Sequence, residues 1–509
     1  MPGYPRPSRV AAVPIGEIAA SAHARTVTGT DSGVAVTGVT HDSTRVVTGD
    51  LYVAIRGERK HGAEFAAAAV DAGAAAVLTD DAGAALAGDL GVPVLVTADP
   101  RAVLGTVAAA VYGDPTRRLR VIGLTGTAGK TSTAYLVESG LAAAGHLTCM
   151  VGTVETRIAG TTIDSVRTTP EATDLHALFA TALELGATAA VMEVSSHALA
   201  YGRVAGVRFD VGGFTNFGLD HLDFHGSAEE YFAAKAKLFD GRCRVEVLNL
   251  DDPAVRRLVR PATITFSASG DPAATWRAQQ VTRQGFAQTF TALHKDRGPV
   301  ELTVALPGRH NVANALLALA CLVEAGVSPQ VAAAGIGACR GVPGRLELVD
   351  APGPVLGVVD YAHKPDAIVA ALAALREVAT GRLICVLGAG GDRDRGKRPL
   401  MGEAAANGAD VVLITDDNPR SEDPSVIRAE VLGGARTGGR AVVTEISGRR
   451  EAIAEAVRQA GPGDVIALLG KGHERGQEVA GVITPFDDRT ELAAALADRF
   501  HDAAAGARA

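Results

Sequence analysis

"RVIGLTGTAGKTSTAYLVESG", residues 120–140, decides how this chain is read. An apolar run, Val121 to Leu124, breaks into a glycine-rich turn and then into a long helical pattern. Such a turn between strand and helix leaves backbone N–H groups pointing at one place, and the helix N-terminus adds positive potential there. Phosphate oxygens suit that place. Lys130 is set to reach outer phosphates, and Thr131 to ligate Mg2+. The loop is short, with only Thr127 and Ala128 between Gly126 and Gly129, whereas the usual pattern spaces its first glycine four residues from the Gly-Lys pair. The strict motif therefore fails, and an ordinary glycine-rich turn is the alternative.

Strand and helix patterns alternate on both sides of this stretch. Upstream, "DLYVAI" (50–55), "AAAVLTD" (74–80) and "VPVLVT" (92–97) read as strands, with "AEFAAAAVDAG" (63–73) helical between them. That small α/β unit ends in the polar linker "YGDPTRRL" (112–119). Downstream, further strands are predicted at "AAVMEVS" (189–195), "FDVGGFTN" (209–216) and "CRVEVLNL" (243–250). They are followed by a helix at 311–326 and a turn at "VPGRLE" (342–347). The last segment is the most regular. Strands at 355–362, 382–390, 410–417, 441–446 and 464–470 alternate with helical patterns, which is the signature of a doubly wound parallel sheet.

Size and composition bound the function. A chain of 509 residues has room for roughly two to four domains. Hydrophobic content of 47% supports packed cores, and with aromatics at 4% those cores are aliphatic. The net charge of −8 argues against a general nucleic-acid binder and leaves anionic small substrates to local Arg and Lys clusters. The cysteines (149, 243, 321, 339 and 385) are scattered without a CxxC, so free buried thiols are expected rather than disulfides or zinc. The N-terminus has no apolar segment behind a basic start, and no stretch is long enough to span a membrane. A soluble, cytoplasmic protein with a short frayed tail at each end ("AAAGARA" closes the chain) is expected.

Three residues beyond the loop carry candidate chemistry. Glu193, in "MEVSSH", ends an apolar strand where metal-bound phosphate would find an acid; a solvated strand-end acid is the alternative. His221, in "LDHLDFHG" (219–226), is either a structural histidine or a metal ligand. In "SAEEYFAAKAKLFD" (227–240), Phe232, Lys235 and Phe239 share one helical face while Lys237 points elsewhere. Two readings of Lys235 are open: a snorkelling lysine, or a neutral amine that takes up CO2 and becomes an anionic metal ligand.

Taken in order, "TGTAGKTS", "MEVSSH", "DHLDFHG", "AAKAKLF", "GRHNVANALLA" (308–318), "GVPGRLE" and "DYAHKPDA" (360–367) resemble the Mur ligases, ATP-dependent peptide ligases of bacterial cell-wall synthesis. The resemblance covers nearly the whole chain. It implies three α/β domains: a small UDP-MurNAc-binding domain (1–117), a central P-loop ATPase domain with a parallel sheet (118–345) and a C-terminal Rossmann-like domain for the amino acid (346–509). By resemblance, ATP is contacted by Gly126, Thr127, Ala128, Gly129, Lys130, Thr131 and Ser132, with Asn311, Arg345, Asp360 and His363 also at the nucleotide. Mg2+ falls to Thr131, Glu193, His221 and a carbamate on Lys235; Lys130, Glu193, His221 and Lys235 carry the catalytic work. The UDP-MurNAc-dipeptide falls to Ser43 on the uridine side and to Thr168, Thr169, Ser195, Tyr201 and Arg203 on the peptide side. Ala128 stands where Asn is frequent, Thr44 where Arg usually follows Asp-Ser, and Tyr201 where some members have Gln.

The last sheet carries polar loops at three strand ends: "GDRDRGKRP" (391–399), "DNPRSEDP" (417–424) and "GKGHE" (470–474). In the family this domain receives the incoming amino acid, and the member adding meso-diaminopimelate carries Asp-Asn-Pro-Arg in the middle loop. Diaminopimelate is lysine with a second carboxylate on its far carbon, so its pocket needs cations for carboxylates and acids for ammonium. Arg420 suits a bidentate carboxylate grip with Arg393 in support. Glu474 suits an ammonium group, Asp417, Asn418 and Pro419 order the turn, and Gly470 admits close backbone. A stiff loop whose acid and arginine merely pair is the alternative. The implied reaction joins meso-diaminopimelate to UDP-MurNAc-L-Ala-D-Glu through an acyl phosphate, with ATP and Mg2+, in peptidoglycan precursor synthesis. A monomer is expected, without nucleic-acid or membrane partners, whose third domain moves as three substrates are enclosed. A lysine-adding ligase, folylpolyglutamate synthetase and a nucleotide-driven switch protein are the rivals.

Overall fold

The computed structural model describes residues 3–28 and 33–506, with side chains as far as Phe500. Met1, Pro2 and residues 507–509, where tails were expected, lie outside the described residues. The chain divides into two compact units: 1–277 with 292–300 and 313–336, and 278–291 with 301–312 and 337–509.

The first unit holds two principal sheets. The smaller runs Arg25–Thr28, Val94–Val96, Ala76–Thr79, Asp50–Val53, Gly38–Thr40, parallel except for its first strand. Its middle strands are buried along their length, as continuous apolar runs require when both faces are covered. The expected helix at 63–73 is shorter: a 3-10 turn, Gly62–Phe65, precedes the α-helix Ala66–Asp71. The larger sheet places Arg120–Thr125 between Ala189–Glu193 and Phe209–Phe214, all parallel. Cys243–Asn249 and Ile264–Ser267 extend it on one side. Thr148–Val151 extends it on the other, followed by the antiparallel pair Thr156–Ile158 and Thr161–Ile163. Glu193 pairs in register with Leu124, so its carboxylate sits one strand over from the entrance to the glycine-rich loop.

The second unit contains the predicted doubly wound sheet. Its order is Glu347–Val349, Leu356–Asp360, Val465–Leu469, Leu383–Leu387, Val411–Ile414, Val442–Glu445, parallel except at the first strand. Helices Pro365–Val378, Lys397–Gly408 and Pro424–Ala435 cover one face; Arg449–Gln459 and Asp488–Gly506 cover the other. The strands ending at Leu469, Leu387 and Ile414 are immediate neighbours, so the three polar loops leave the same edge side by side. Strands at Trp276–Gln284, Ala287–His294 and Val300–Val304 were not predicted: their apolar residues alternate with exposed polar ones, a weaker signal than a buried run.

Four of the cysteines are buried, and Cys339 is partly exposed with its Sγ 3.6 Å from Gly341 O. Among the described residues no helix is long and apolar enough to cross a membrane.

Candidate functional site

The glycine-rich loop forms because its glycines adopt backbone that other residues avoid. Gly126 has φ 142° and Gly129 φ 86°. A Cβ on Gly126 would lie 1.8 Å from Thr215 Oγ1, and one on Gly129 2.4 Å from Asn314 Oδ1. Asn216 clamps the loop: its backbone oxygen accepts from Thr127 N at 2.9 Å, and its side chain bonds both Ala128 N and Ala128 O at 3.0 Å. The helix Lys130–Ala143 starts directly after, with Thr131 and Ser132 buried in its first turn. Lys130 folds back over the loop, donating to Gly126 O at 2.8 Å and Thr127 O at 3.1 Å.

Lys235 reaches one of the same loop carbonyls. It is 1% exposed, donates to Gly126 O at 2.8 Å and lies 4.4 Å from the centre of the Tyr231 ring. Phe232, Lys235 and Phe239 are all buried as expected, but not along one continuous helix. The helix is Ala228–Ala236, and Phe239 lies on the following 3-10 turn Lys237–Phe239. Both phenylalanines enter the core while Lys235 reaches a backbone carbonyl; Lys237 is exposed. Tyr231 also contacts Thr127 Oγ1 at 3.3 Å and packs against His221, ring centres 6.1 Å apart. His221 itself has φ 50°, pairs with Asp220 at 3.1 Å and stacks edge-on against His197.

Glu193 is buried, with one oxygen accepting Thr153 N at 2.8 Å and the other Thr153 Oγ1 at 3.0 Å. That same hydroxyl lies 3.0 Å from Thr168 Oγ1. Thr169 Oγ1 donates to Glu193 O at 2.8 Å and accepts from Ser195 N at 3.1 Å, and Ser195 caps the helix Ser196–Ala200. Thr153 therefore links the predicted acid to Thr168, while the Glu193 carbonyl links it to Thr169 and, through that hydroxyl, to Ser195. Arg203 pairs with Glu171 at 2.9 Å; burial lowers its pKa, and Glu171 opposes that. Arg167 shares the same carboxylate at 2.7 Å. Tyr201 is half exposed with the Arg101 and Arg203 guanidinium groups over its ring. Ser43 opens a 3-10 turn, Ser43–Arg45, in the smaller sheet's region. Thr44 is exposed, and its N–H and hydroxyl both donate to Asp42 Oδ1.

In the second unit Arg345, Asp360 and His363 come together around Tyr361. The Arg345 guanidinium lies 4.6 Å from the Tyr361 ring centre, and the His363 and His473 rings pack against the same tyrosine. Asp360 accepts from Leu346 N at 2.6 Å and Ala362 N at 2.7 Å; burial raises its pKa despite Arg345. Burial lowers His363 to about 4, so it is neutral at pH 7, with Nδ1 2.8 Å from Tyr361 O. Asn311 is buried and donates to Pro307 O at 2.8 Å.

The polar strand-end loops pack on one another. A Cβ on Gly391 would lie 1.8 Å from Pro419 O, and one on Gly470 (φ 112°) 2.5 Å from Asp417 Oδ2. Arg420 occupies left-handed backbone at φ 54°, donates to Gly391 O at 2.7 Å and pairs with Glu478 at 3.4 Å. Its acid partner is therefore Glu478 rather than Asp417, and the loop is more than an internal pair. Asn418 donates to Glu474 Oε2 at 2.7 Å. Arg393 is exposed, its guanidinium 3.5 Å from Asp392 O.

Sequence reasoning missed Thr153, Asn216, Tyr231, Asn314, Tyr361, Lys471 and His473. Tyr231, Asn314, Tyr361, Lys471 and His473 sit inside motifs already singled out, and Asn216 closes a predicted strand; Thr153 has no local signal, since its role arises from a contact between distant segments.

Three stretches match family descriptions: residues 35–112 the Mur ligase family catalytic domain, 124–322 the Mur ligase middle domain, and 344–472 the Mur ligase glutamate ligase domain. A protein of Streptomyces avermitilis named UDP-N-acetylmuramoyl-L-alanyl-D-glutamate–2,6-diaminopimelate ligase is 51% identical over 502 residues, covering 97% of this chain and 98% of that protein. A Corynebacterium efficiens protein of the same name is 45% identical over 512 residues, covering 97% of each. A solved structure of a ligase of that name superposes with a TM-score of 0.69 at 33% identity, covering 96% of this chain and all of the other.

Proposed function

This chain belongs to the Mur ligase family, and we propose that it couples the amine of meso-2,6-diaminopimelate to the D-glutamate carboxylate of UDP-MurNAc-L-Ala-D-Glu, consuming ATP. The family fold comprises three α/β domains. We assign them to 1–117, 118–345 and 346–509, because the turns Pro115–Arg117 and Val342–Arg345 immediately precede new strands.

In this reaction the carboxylate attacks the γ-phosphorus of ATP, giving an acyl phosphate and ADP. The amine then attacks the acyl carbon, and the tetrahedral intermediate expels phosphate. The chain's share is positioning and charge stabilisation. Lys130 turns from the loop carbonyls onto the phosphates, while backbone N–H groups of Gly126–Ser132 surround them. Thr168, Thr169 and Ser195 orient the peptide end of the acceptor, Arg203 and Tyr201 flank it, and Ser43 serves the uridine side. Arg345, Asp360 and His363 serve the nucleoside, with Asn311 on the adenine side.

The donor set fits a divalent cation. The Thr131 hydroxyl and Glu193 carboxylate are hard oxygen ligands, and Thr153 orients the carboxylate as an outer partner does for a ligand. Among the described residues no three His, Cys, Asp or Glu side chains gather into a metal cluster, so phosphate oxygens would complete the shell, with His221 beside it. Mg2+ there would neutralise developing phosphate charge. A carbamate on Lys235 also fits: its remaining N–H can keep the bond to Gly126 O while its oxygens add negative charge beside the loop.

For the amino acid, Glu474 receives an ammonium group. Arg420 exchanges Glu478 for a substrate carboxylate, with Arg393 supporting and Gly470 allowing close backbone. The observation that supports this pocket is the adjacency of Arg420, Asn418 and Glu474 on neighbouring strand-end loops. We place the reaction in the cytoplasm, where ATP and nucleotide-linked precursors are made, with a monomer as the working unit. The test is a product assay with ATP, the UDP-MurNAc-dipeptide and competing meso-diaminopimelate and L-lysine. Diaminopimelate should be incorporated almost exclusively; equal coupling of lysine would refute the pocket.

A further inference from the structure

Lys471 is a fully buried lysine. Its ammonium lies at the carboxyl end of the strand Val465–Leu469, among three acceptors: Gly476 O at 2.6 Å, Asn418 Oδ1 at 3.1 Å and Glu474 Oε2 at 3.3 Å. An ammonium has three N–H donors, so this set uses them all. The same contacts fix the Asn418 amide. Its Oδ1 accepts from Lys471 and from Glu478 N at 3.0 Å, which leaves Nδ2 to donate to Glu474 Oε2 at 2.7 Å. Both of these holds on Glu474 therefore fall on Oε2, in a side chain 32% exposed.

We propose that Lys471 is a positioning residue that holds Glu474 ionised and turned toward the amino group of the incoming diamino acid. This rests on the reading above that Glu474 receives that ammonium. The surroundings make such a cation necessary. Burial and the neighbouring Asp417 push the Glu474 pKa up, whereas Lys471 and the Asn418 amide bring it down. Tyr361, from the end of the neighbouring strand, and Arg449, from the helix behind and itself tied to Asp488 at 2.5 Å, also interact with Glu474. Removing the Lys471 charge leaves a half-buried carboxylate beside a second acid, which favours its neutral form.

The test uses the full chain with all three substrates. Lys471→Met should raise KM for diaminopimelate by roughly 10-fold or more, the loss of a charge-assisted contact, while KM for ATP and for the UDP-MurNAc-dipeptide stay unchanged. The acid limb of kcat/KM for diaminopimelate should move to higher pH, and in Lys471→Met with Glu474→Gln that limb should disappear. Asn418→Ala, which cuts the relay outside the buried ammonium, should move the limb in the same direction and decides the matter if Lys471→Met does not fold. An unmoved limb in the folded variant, or all three KM values rising together, overturns the role of Lys471. An unchanged diaminopimelate KM in Glu474→Gln alone overturns the pocket reading instead.

Discussion

Arg420, His221 and Asp392 share an unusual property: each is a non-glycine residue in left-handed backbone, at φ 54°, 50° and 52°. Such conformations cost about 1–2 kcal/mol each and persist where surrounding contacts over-determine them. At Arg420 those contacts are visible: its N–H donates to Glu478 O at 3.0 Å, and its carbonyl accepts from Ala480 N at 2.7 Å. The strained turn aims a guanidinium that lysine cannot replace in planar, two-point recognition. Arg420→Lys should therefore raise KM for diaminopimelate by roughly 10-fold or more with little change for ATP; steady-state kinetics with each substrate varied will show it, and unchanged saturation would remove Arg420 from the pocket. Lys235 makes a different demand. Lys235→Ala should abolish turnover, and small carboxylates such as acetate or formate should restore part of it by supplying the missing anion. Normal turnover in that variant would eliminate the carbamate.

The element that admits least change is the strand–loop–helix from Arg120 to Ala143. Gly126 combines left-handed backbone with a neighbour that leaves no room for a methyl group, since Thr215 Oγ1 would be 1.8 Å from its Cβ and backbone atoms of Asn216 3.1 Å. Gly126→Ala must displace the loop from the Asn216 clamp. A misplacement of about 1 Å at a reacting centre can cost roughly 10²-fold, so kcat/KM for ATP should fall by about that factor, with folding checked by thermal melting. A variant that binds ATP normally would show that the loop is softer than its contacts indicate. On the second unit, Arg398 is the comparable anchor. It is fully buried, donates to Gly390 O at 3.1 Å and to both Glu422 and Glu430, and thereby ties two of the three strand-end loops to their helices.

For the whole molecule, two partly buried histidines contribute to a pH dependence of stability. Burial lowers both His363 and His473 from 6.5 to about 4. The unfolded chain binds these protons near pH 6.5 and the folded chain only near 4, so stability falls as pH drops through that window and no further below it. The raised carboxyls Asp360 and Glu474 act in the opposite direction. A comparison of the native chain with His363→Gln isolates the histidine: the urea midpoint of the native protein should fall from pH 7.5 to pH 5, and His363→Gln should reduce that fall. An identical fall in both would mean that His363 gains its proton in the folded state as readily as in the unfolded one.

By itself, the sequence determined the central strands of the three sheets, the glycine-rich loop and the three polar loops of the last sheet, but not the parallel strands Gly38–Thr40, Thr148–Val151 and Ile264–Ser267. Buried parallel strands are continuous apolar runs, and glycines in strained turns have few substitutes, so both leave local marks. The tertiary structure alone decided that Thr153 joins Glu193 to Thr168, that Asn216 clamps a loop 88 residues away, and that Lys471 lies beneath Asn418 and Glu474. It also turned Lys235 from an apolar face toward Gly126 O. These pairings depend on which strands become neighbours, and a hydrogen bond across two strand ends leaves no periodicity in either segment.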